Sequence, residues 1–170
     1  TINGDFNINP SDVGEGAALT VNMGAAITVG ATKTTTIQRT TSATANLDTT
    51  VTNYALSTGK LDIATGGTLT ANGSTITLTG TTSTLFTRTG TFTQGTSTVV
   101  MNPDAAVTLT SGTVTFNNLT LSPTITAART YTFGAGALTI DGDFNINPTA
   151  SSALALEVDM GAAITVGATK

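Results

Sequence analysis

Apolar and polar side chains alternate strictly from the first residue. Ile2, Gly4, Phe6, Ile8 and Pro10 fall on one side of an extended chain, and Thr1, Asn3, Asp5, Asn7 and Asn9 fall on the other. A period of two residues is that of a β-strand with one face buried. After a variable turn at residues 11–16 the alternation resumes, with Leu19, Val21, Met23, Ala25, Ile27, Val29 and Ala31 inward and Thr20, Asn22, Thr28 and Thr32 outward. Gly24 and Gly30 interrupt it, and glycines so placed predict corners between short strands. Residues 34–59 pattern weakly, with only Ile37, Leu47, Val51, Tyr54, Ala55 and Leu56 as anchors, and predict a longer loop leaving the core. Alternation then returns at Leu61, Ile63, Leu69, Ala71, Ile76 and Leu78, continues through Phe86, Phe92, Val99 and Met101, and runs on from Val107 to Phe133. No stretch carries the i, i+3, i+4, i+7 pattern of an amphipathic helix. Even residues 151–160 alternate, with Leu154, Leu156, Val158 and Met160 in one set.

Two periods organise these strands. Residues 1–33 (TINGDFNINP…MGAAITVGATK) recur almost unchanged as residues 139–170 (TIDGDFNINP…MGAAITVGATK), Thr1 matching Thr139 and Met23 matching Met160. Residues 1–138 are therefore one long repeat, and 139–170 begin the next. Within the long repeat, β-rich runs open near Thr1, Leu19, Thr35, Lys60, Thr91 and Thr113, about six units of roughly 23 residues each. That length suits a three-sided coil. The expected fold is all-β: a parallel β-helix, or β-solenoid, with about six coils per long repeat. The alternative is a tandem of antiparallel β-sandwiches, which would show two-residue hairpin signals between most strands. Asn72-Gly73 is nearly alone here, so the solenoid is favoured. With coils about 4.8 Å apart, one long repeat should advance about 29 Å, and the second copy should superpose on the first by that translation and a modest rotation. The predicted core comprises Ile2, Phe6, Ile8, Leu19, Val21, Met23, Ile27, Val29, Phe116, Phe133, Leu138, Ile140, Phe144 and Ile146. Gly4 and Gly142 lie on the same inward face and should mark places too narrow for a branched side chain.

Composition sharpens the picture. Thr accounts for 42 of the 170 residues, charged residues for only 9%, and His, Cys and Trp are absent. Thr is β-branched and polar, which fits a pleated strand with one face in water. Ten acids and six bases give a net charge of −4 with no basic run, so a surface that tracks phosphates is missing and nucleic acid is not an expected partner. No apolar run reaches the roughly 18 residues of a membrane-spanning helix.

Candidate chemistry is sparse. Asp141, Asp143 and Asn145 place oxygens at alternate positions and could begin a calcium loop, but the interleaved Phe144 and Ile146 make them the outer row of a strand. No cofactor is expected. Thr-x-Thr pairs at Thr68/Thr70, Thr75/Thr77, Thr91/Thr93 and Thr108/Thr110 resemble the arrays of ice-binding solenoids, although their spacing is irregular. A polysaccharide-active enzyme of the β-helix type would need clustered acids, and Asp48, Asp62 and Asp104 are far apart in sequence. Asn72-Gly73-Ser74 and Asn118-Leu119-Thr120 match the N-glycosylation pattern. The aromatic residues Phe6, Phe116, Phe133 and Phe144 fall on the inner face, and so do not suggest a glycan-stacking surface.

Runs such as GTVTFNNLTLSPTITAARTYTFGAGALTIDGDFNIN (residues 112–147) resemble the low-charge, Thr/Asn/Gly-rich β-strand-repeat surface proteins of bacteria, the class of filamentous haemagglutinins and autotransporter passengers. The resemblance extends over the whole chain in texture and carries no catalytic residues. It implies a right-handed parallel β-helix, export, and a role as an extracellular fibre or cell-surface stalk, not an enzyme. The expected partner is self, as the next repeat or an identical subunit along a fibre axis. The alternative is an adhesin binding a host surface or glycan through residues 34–59.

Overall fold

A computed structural model describes residues 1–11, 16–40, 42–110, 112–150 and 153–167. The turn expected at 11–16 and the close of the second copy at 168–170 lie largely outside them. The described residues contain no helix. Each coil contributes one short strand to each of three faces. The first holds β1 (Phe6–Ile8), β2 (Ala18–Asn22) and β3 (Ile27–Thr28), and the second holds β4 (Thr34–Ile37), β5 (Thr44–Asp48) and β6 (Leu56–Thr58). The third holds β7 (Lys60–Ile63), β8 (Gly67–Thr70) and β9 (Thr75–Leu78), and the fourth β10 (Thr84–Arg88), β11 (Thr91–Thr93) and β12 (Thr98–Met101). The fifth comprises β13 (Val107–Thr110), β14 (Val114–Phe116) and β15 (Asn118–Leu121), followed by a corner strand, β16 (Thr124–Ile125). The sixth comprises β17 (Arg129–Phe133), β18 (Leu138–Ile140) and β19 (Phe144–Ile146), followed by β20 (Thr149–Ala150). The chain then enters a seventh coil with β21 (Leu156–Met160) and β22 (Ile164–Val166).

All pairing is parallel and between successive coils. Face one is a single sheet in the order β1-β4-β7-β10-β13-β17-β21. Face two is β2-β5-β8-β11, continued by β14-β18-β22, and face three is β3-β6-β9-β12-β15-β19. The sandwich alternative is excluded by this order, and the chain is a parallel β-helix. On face one a single inward column runs Phe6, Thr35, Leu61, Phe86, Leu109, Phe133, Met160. Its steps along the chain are unequal, longest from Phe6 to Thr35 and shortest from Phe86 to Leu109. The variation is absorbed at the corners and by one bulge, where β10 shifts register against β13 so that Leu85 and Phe86 are both buried.

The long repeat is not a whole number of coils. Phe6 of the first copy is on face one, whereas its counterpart Phe144 is on face three. Likewise Leu19 and Val21 lie on face two but Leu156 and Val158 on face one, and Ile27 lies on face three but Ile164 on face two. Between Phe6 and Phe144 the chain completes five and two-thirds turns, where about six were expected. The copies are therefore related by a third of a turn, and Met23 does not take the place of Met160 by a simple translation. The same sequence serves different faces because each face asks only for an inward apolar row and a free backbone edge.

The core is a stack of inward rows. Ile8, Met23, Val29, Phe116, Phe133, Leu138 and Ile140 are buried as expected from the alternation, and Ile2, Phe6, Val21, Ile27 and Phe144 are half-buried. Leu19 and Ile146, expected inside, are 43% and 49% exposed. Both sit in end coils, with a neighbouring coil on one side only. Around the middle coils Phe86, Phe92 and Phe116 meet edge to face, with ring centroids 5.6–5.9 Å apart.

Residues 34–59 do not leave the core. The described residues among them carry β4, β5 and β6 of the second coil, and the weak pattern arises because Ala43, Ala45, Thr35, Thr49 and Thr58 all point inward. Their hydroxyls are paired: Thr35 Oγ1 donates to Thr58 Oγ1 at 2.9 Å, Thr58 Oγ1 donates in turn to the Lys60 carbonyl at 2.9 Å, and Thr49 Oγ1 donates to the Ala71 carbonyl at 2.8 Å. A buried Thr so satisfied offers its methyl to the core at little cost.

Packing of this kind sets the order of mutational costs. Phe86→Ala should cost about 3–5 kcal/mol in chemical unfolding, while Val51→Ala, at a side chain 93% exposed, should stay within about 0.5 kcal/mol. A Cβ at Gly142 would collide with Asn118 Oδ1, whereas among the described residues nothing lies within 4 Å of one at Gly4. The expectation of a narrow site thus applies to Gly142 alone. Gly142→Val should lower stability by about 1–3 kcal/mol, and Gly4→Val should lower it far less. Equal losses at the two glycines would contradict the distinction.

Candidate functional site

The outer rows are where a solenoid meets its surroundings. On face two, Thr91 and Thr93 stand directly over Thr68 and Thr70. This Thr array is two strands deep, since Asn46 and Asp48 lie beneath it and Thr20 and Asn22 beneath those. At the corner from face two to face three, polar side chains climb from coil to coil. Asn72 Nδ2 donates to Asp48 Oδ1 at 2.7 Å, Asp48 Oδ1 also accepts the Thr50 N–H at 2.6 Å, and Asn118 Oδ1 accepts the Asp143 N–H at 2.8 Å. These side chains cap backbone donors that the sharp corners leave free of ladder partners. The amides of both glycosylation-type motifs are engaged in this way, Asn118 Nδ2 reaching Thr98 Oγ1 at 3.3 Å.

The calcium-like candidates occupy the same corner without converging. Asp141 is exposed and accepts from Gln94 Nε2 at 3.3 Å, Asp143 is exposed at the entry to β19, and Asn145 lies on the outer face over Thr120. Among the described residues no three acids gather into a metal-holding group. Asp48, Asp62 and Asp104 are also separated. Asp62 accepts from Thr87 Oγ1 at 2.6 Å on face one, and Asp104 is nearly two coils further on, at the corner from face three to face one. Among the described residues no cavity opens beside them.

Asp104 belongs to an ion pair that links two successive corners. Arg129 Nε donates to Asp104 Oδ1 at 2.7 Å, and Thr126 donates to Oδ2 through its N–H at 3.1 Å and its hydroxyl at 2.5 Å. The Arg129 hydrogen bond, helped by Thr126, holds the Asp104 carboxyl down at about 2, while Asp104 raises Arg129. Beneath this pair the buried Tyr131 donates its Oη–H to the Pro103 carbonyl at 2.7 Å, and burial first, then the Asp104 charge, pushes its phenol upward. Together they tie the corner of the fourth coil to the one that follows. Sequence reasoning missed this group because its partners are a coil length apart in the chain and neither carries a motif.

The loop between β5 and β6 turns through left-handed backbone. Thr50 and Asn53 have φ of 63° and 59°, a left-handed backbone unusual for a β-branched residue such as Thr50. It is held there: the Asn53 N–H reaches the Thr50 carbonyl at 3.0 Å, the Tyr54 N–H the Thr49 carbonyl at 3.1 Å, and Asn53 Oδ1 accepts the Gly73 N–H of the next coil at 2.8 Å. Val51 stands outward at the tip, and Tyr54, half-buried, packs against the core.

Two end edges complete the surface. The lower edge is formed by Ile2, β1 and β2, and the upper by β19, β21 and β22. Apart from Val51, the large apolar side chains exposed among the described residues all lie on these end coils: Leu19 below, and Ile146, Met160 and Val166 above. Compared with family models, with curated proteins and with solved structures, the chain matches none.

The Asp104 corner gives a pH prediction. Its folded value lies below the 3.8 of a free carboxyl, so its stabilising contribution is complete above 3.8 and is lost as pH falls through about 2. A carboxyl NMR titration should show Asp104 titrating near that value, and Arg129→Gln should move the midpoint upward. An unchanged midpoint in that variant would contradict the assignment.

Proposed function

We propose that this chain is part of a structural extracellular fibre or surface stalk built from tandem β-solenoid repeats, similar in kind to bacterial β-strand-repeat surface proteins. One observation carries the reading: the first long repeat passes into the second inside an uninterrupted sheet. On face one, β17 of the first repeat pairs with β21 of the second, from Arg129 and Leu156 to Phe133 and Met160. A seam of that kind transmits the same ladder and the same apolar column as any two coils within a repeat, so repeats add length without a joint. The surface suits the role. It is Thr-rich and weakly charged, its polar groups serve coil-to-coil hydrogen bonds, and the described residues enclose no cavity for a small substrate.

A second reading, an adhesin, is favoured by the loop at residues 50–54. A backbone held at positive φ at two non-glycine residues to present an apolar Val51 is the kind of local strain found at recognition sites. In that reading the solenoid is the stalk and the loop contacts a host surface or glycan.

The fibre reading predicts the dimensions of longer chains. At about 4.8 Å per coil, each added long repeat should lengthen a rod by about 27 Å at constant diameter. Small-angle scattering on chains of two, three and four repeats measures this directly. Growth in cross-section, or independent beads on a flexible string, would contradict it.

A further inference from the structure

Face two is broken once, in the middle of the stack. Its lower sheet ends at β11 and its upper sheet begins at β14, and among the described residues no ladder joins these strands of successive coils. Backbone directions show which groups a ladder would have used. Thr93 gives its carbonyl to the Ala71 N–H below, so the N–H and C=O of Phe92 point up toward the fifth coil. Val114 donates to Ala137 and Phe116 accepts from Asp141, both above, so the N–H and C=O of Thr115 point down toward the fourth. Face one is irregular at the same level, where β10 shifts register against β13. Only face three is regular there, Thr98 to Met101 pairing one to one with Asn118 to Leu121.

Side chains take the place of the missing ladder. The Phe116 ring lies 5.6 Å from that of Phe86 and 5.7 Å from that of Phe92, and the bulge buries Leu85 with Phe86. So much volume at one level holds the strands around it apart. Phe92 ends an inward column that runs Val21, Leu47, Leu69, Phe92. Leu47 and Leu69 are fully buried, yet Phe92 is only half-buried although three coils follow it. At one end of the break Arg88 donates through Nη1 to the Gly90 carbonyl of its own coil at 2.8 Å and through Nη2 to the Thr113 carbonyl of the fifth. At the other, Gln94 Nε2 reaches past the fifth coil to Asp141 Oδ2 of the sixth at 3.3 Å.

We infer that the solenoid carries a hinge between its fourth and fifth coils. The block below and the block above swing apart on face two about the unbroken ladder of face three, and Arg88 and Gln94 are the latch. Local opening follows the weakest ties between packed units, and this junction is held by one regular ladder where other coil pairs have more. Opening parts the Phe92 and Phe116 rings and bares one strand edge on each block. The hinge is a property of these two coils and does not rest on the fibre reading. Within a fibre it places the bend inside the long repeat and not at the β17–β21 junction.

Amide hydrogen exchange tests the hinge without any substitution. Thr93, Thr115 and Thr139 are outward residues of face two in the fourth, fifth and sixth coils, and the N–H of each points down, over a ladder in the first and third. Thr115 should exchange about a hundredfold faster than the other two. Distances between spin labels test the motion. Asn46→Cys with Thr139→Cys spans face two from the second coil to the sixth, and Ser57→Cys with Asn145→Cys spans face three between the same coils, each about 19 Å along the axis. The face-two distances should be broadly distributed with a long tail and the face-three distances narrow, and Arg88→Gln should broaden the first alone. Exchange at Thr115 as slow as at Thr93 and Thr139 overturns the inference, and so do equal widths on the two faces. Unchanged face-two distances in an Arg88→Gln chain whose Thr93 and Thr139 amides keep their protection overturn it as well.

Discussion

Everything in this molecule depends on the hydrogen-bond ladder between one coil and the next. A coil of about 25 residues is too small to bury its own inward row or to pair its own backbone, and its strands make no ladder within the coil. Stacking solves both problems at once. The backbone groups of each strand pair upward and downward, and the inward side chains become one column per position. Corners between faces break the ladder, and there Asn, Asp and Thr side chains replace the missing partners, as Asn118 does for the Asp143 amide.

That dependence explains why local sequence and face are decoupled. A Phe-Asn-Ile strand is equally at home on face one beneath Thr35–Ile37 and on face three over Leu119–Leu121. What the neighbours demand is an apolar residue in the column and a polar one outside. The long repeat can then close on five and two-thirds coils without conflict, and successive copies present their surface features a third of a turn apart.

Much of the architecture was legible in the sequence because a period of two survives wherever large apolar residues mark the inward row, as from Leu61 to Leu78. It failed where the core is lined by Thr and Ala. Thr35, Ala45, Thr49 and Thr58 read as polar or neutral, so the second coil looked like a loop. Nothing in one sequence shows that Thr35 donates its hydroxyl proton to Thr58. Among surface features, the Asp141, Asp143 and Asn145 row read correctly as outward-facing, while the Asp104, Arg129 and Tyr131 corner was invisible because its spacing is that of a coil and not of a motif. The phase of the second copy was equally hidden, since coil lengths vary along the chain and are set by corners that carry little pattern.

That the second copy is seated a third of a turn from the first is tested most directly by paired cysteines. On face one, Asp159 of the second copy is the ladder neighbour of Thr132. Thr132→Cys with Asp159→Cys should oxidise readily to an intramolecular disulfide, since adjacent strands bring Cα atoms within bonding range. Asn145→Cys with Thr165→Cys, which would pair if β22 kept the place of β3 on face three, should not, because Thr165 has Thr139 as its neighbour on face two. Rapid closure of the second pair and not the first would contradict the account.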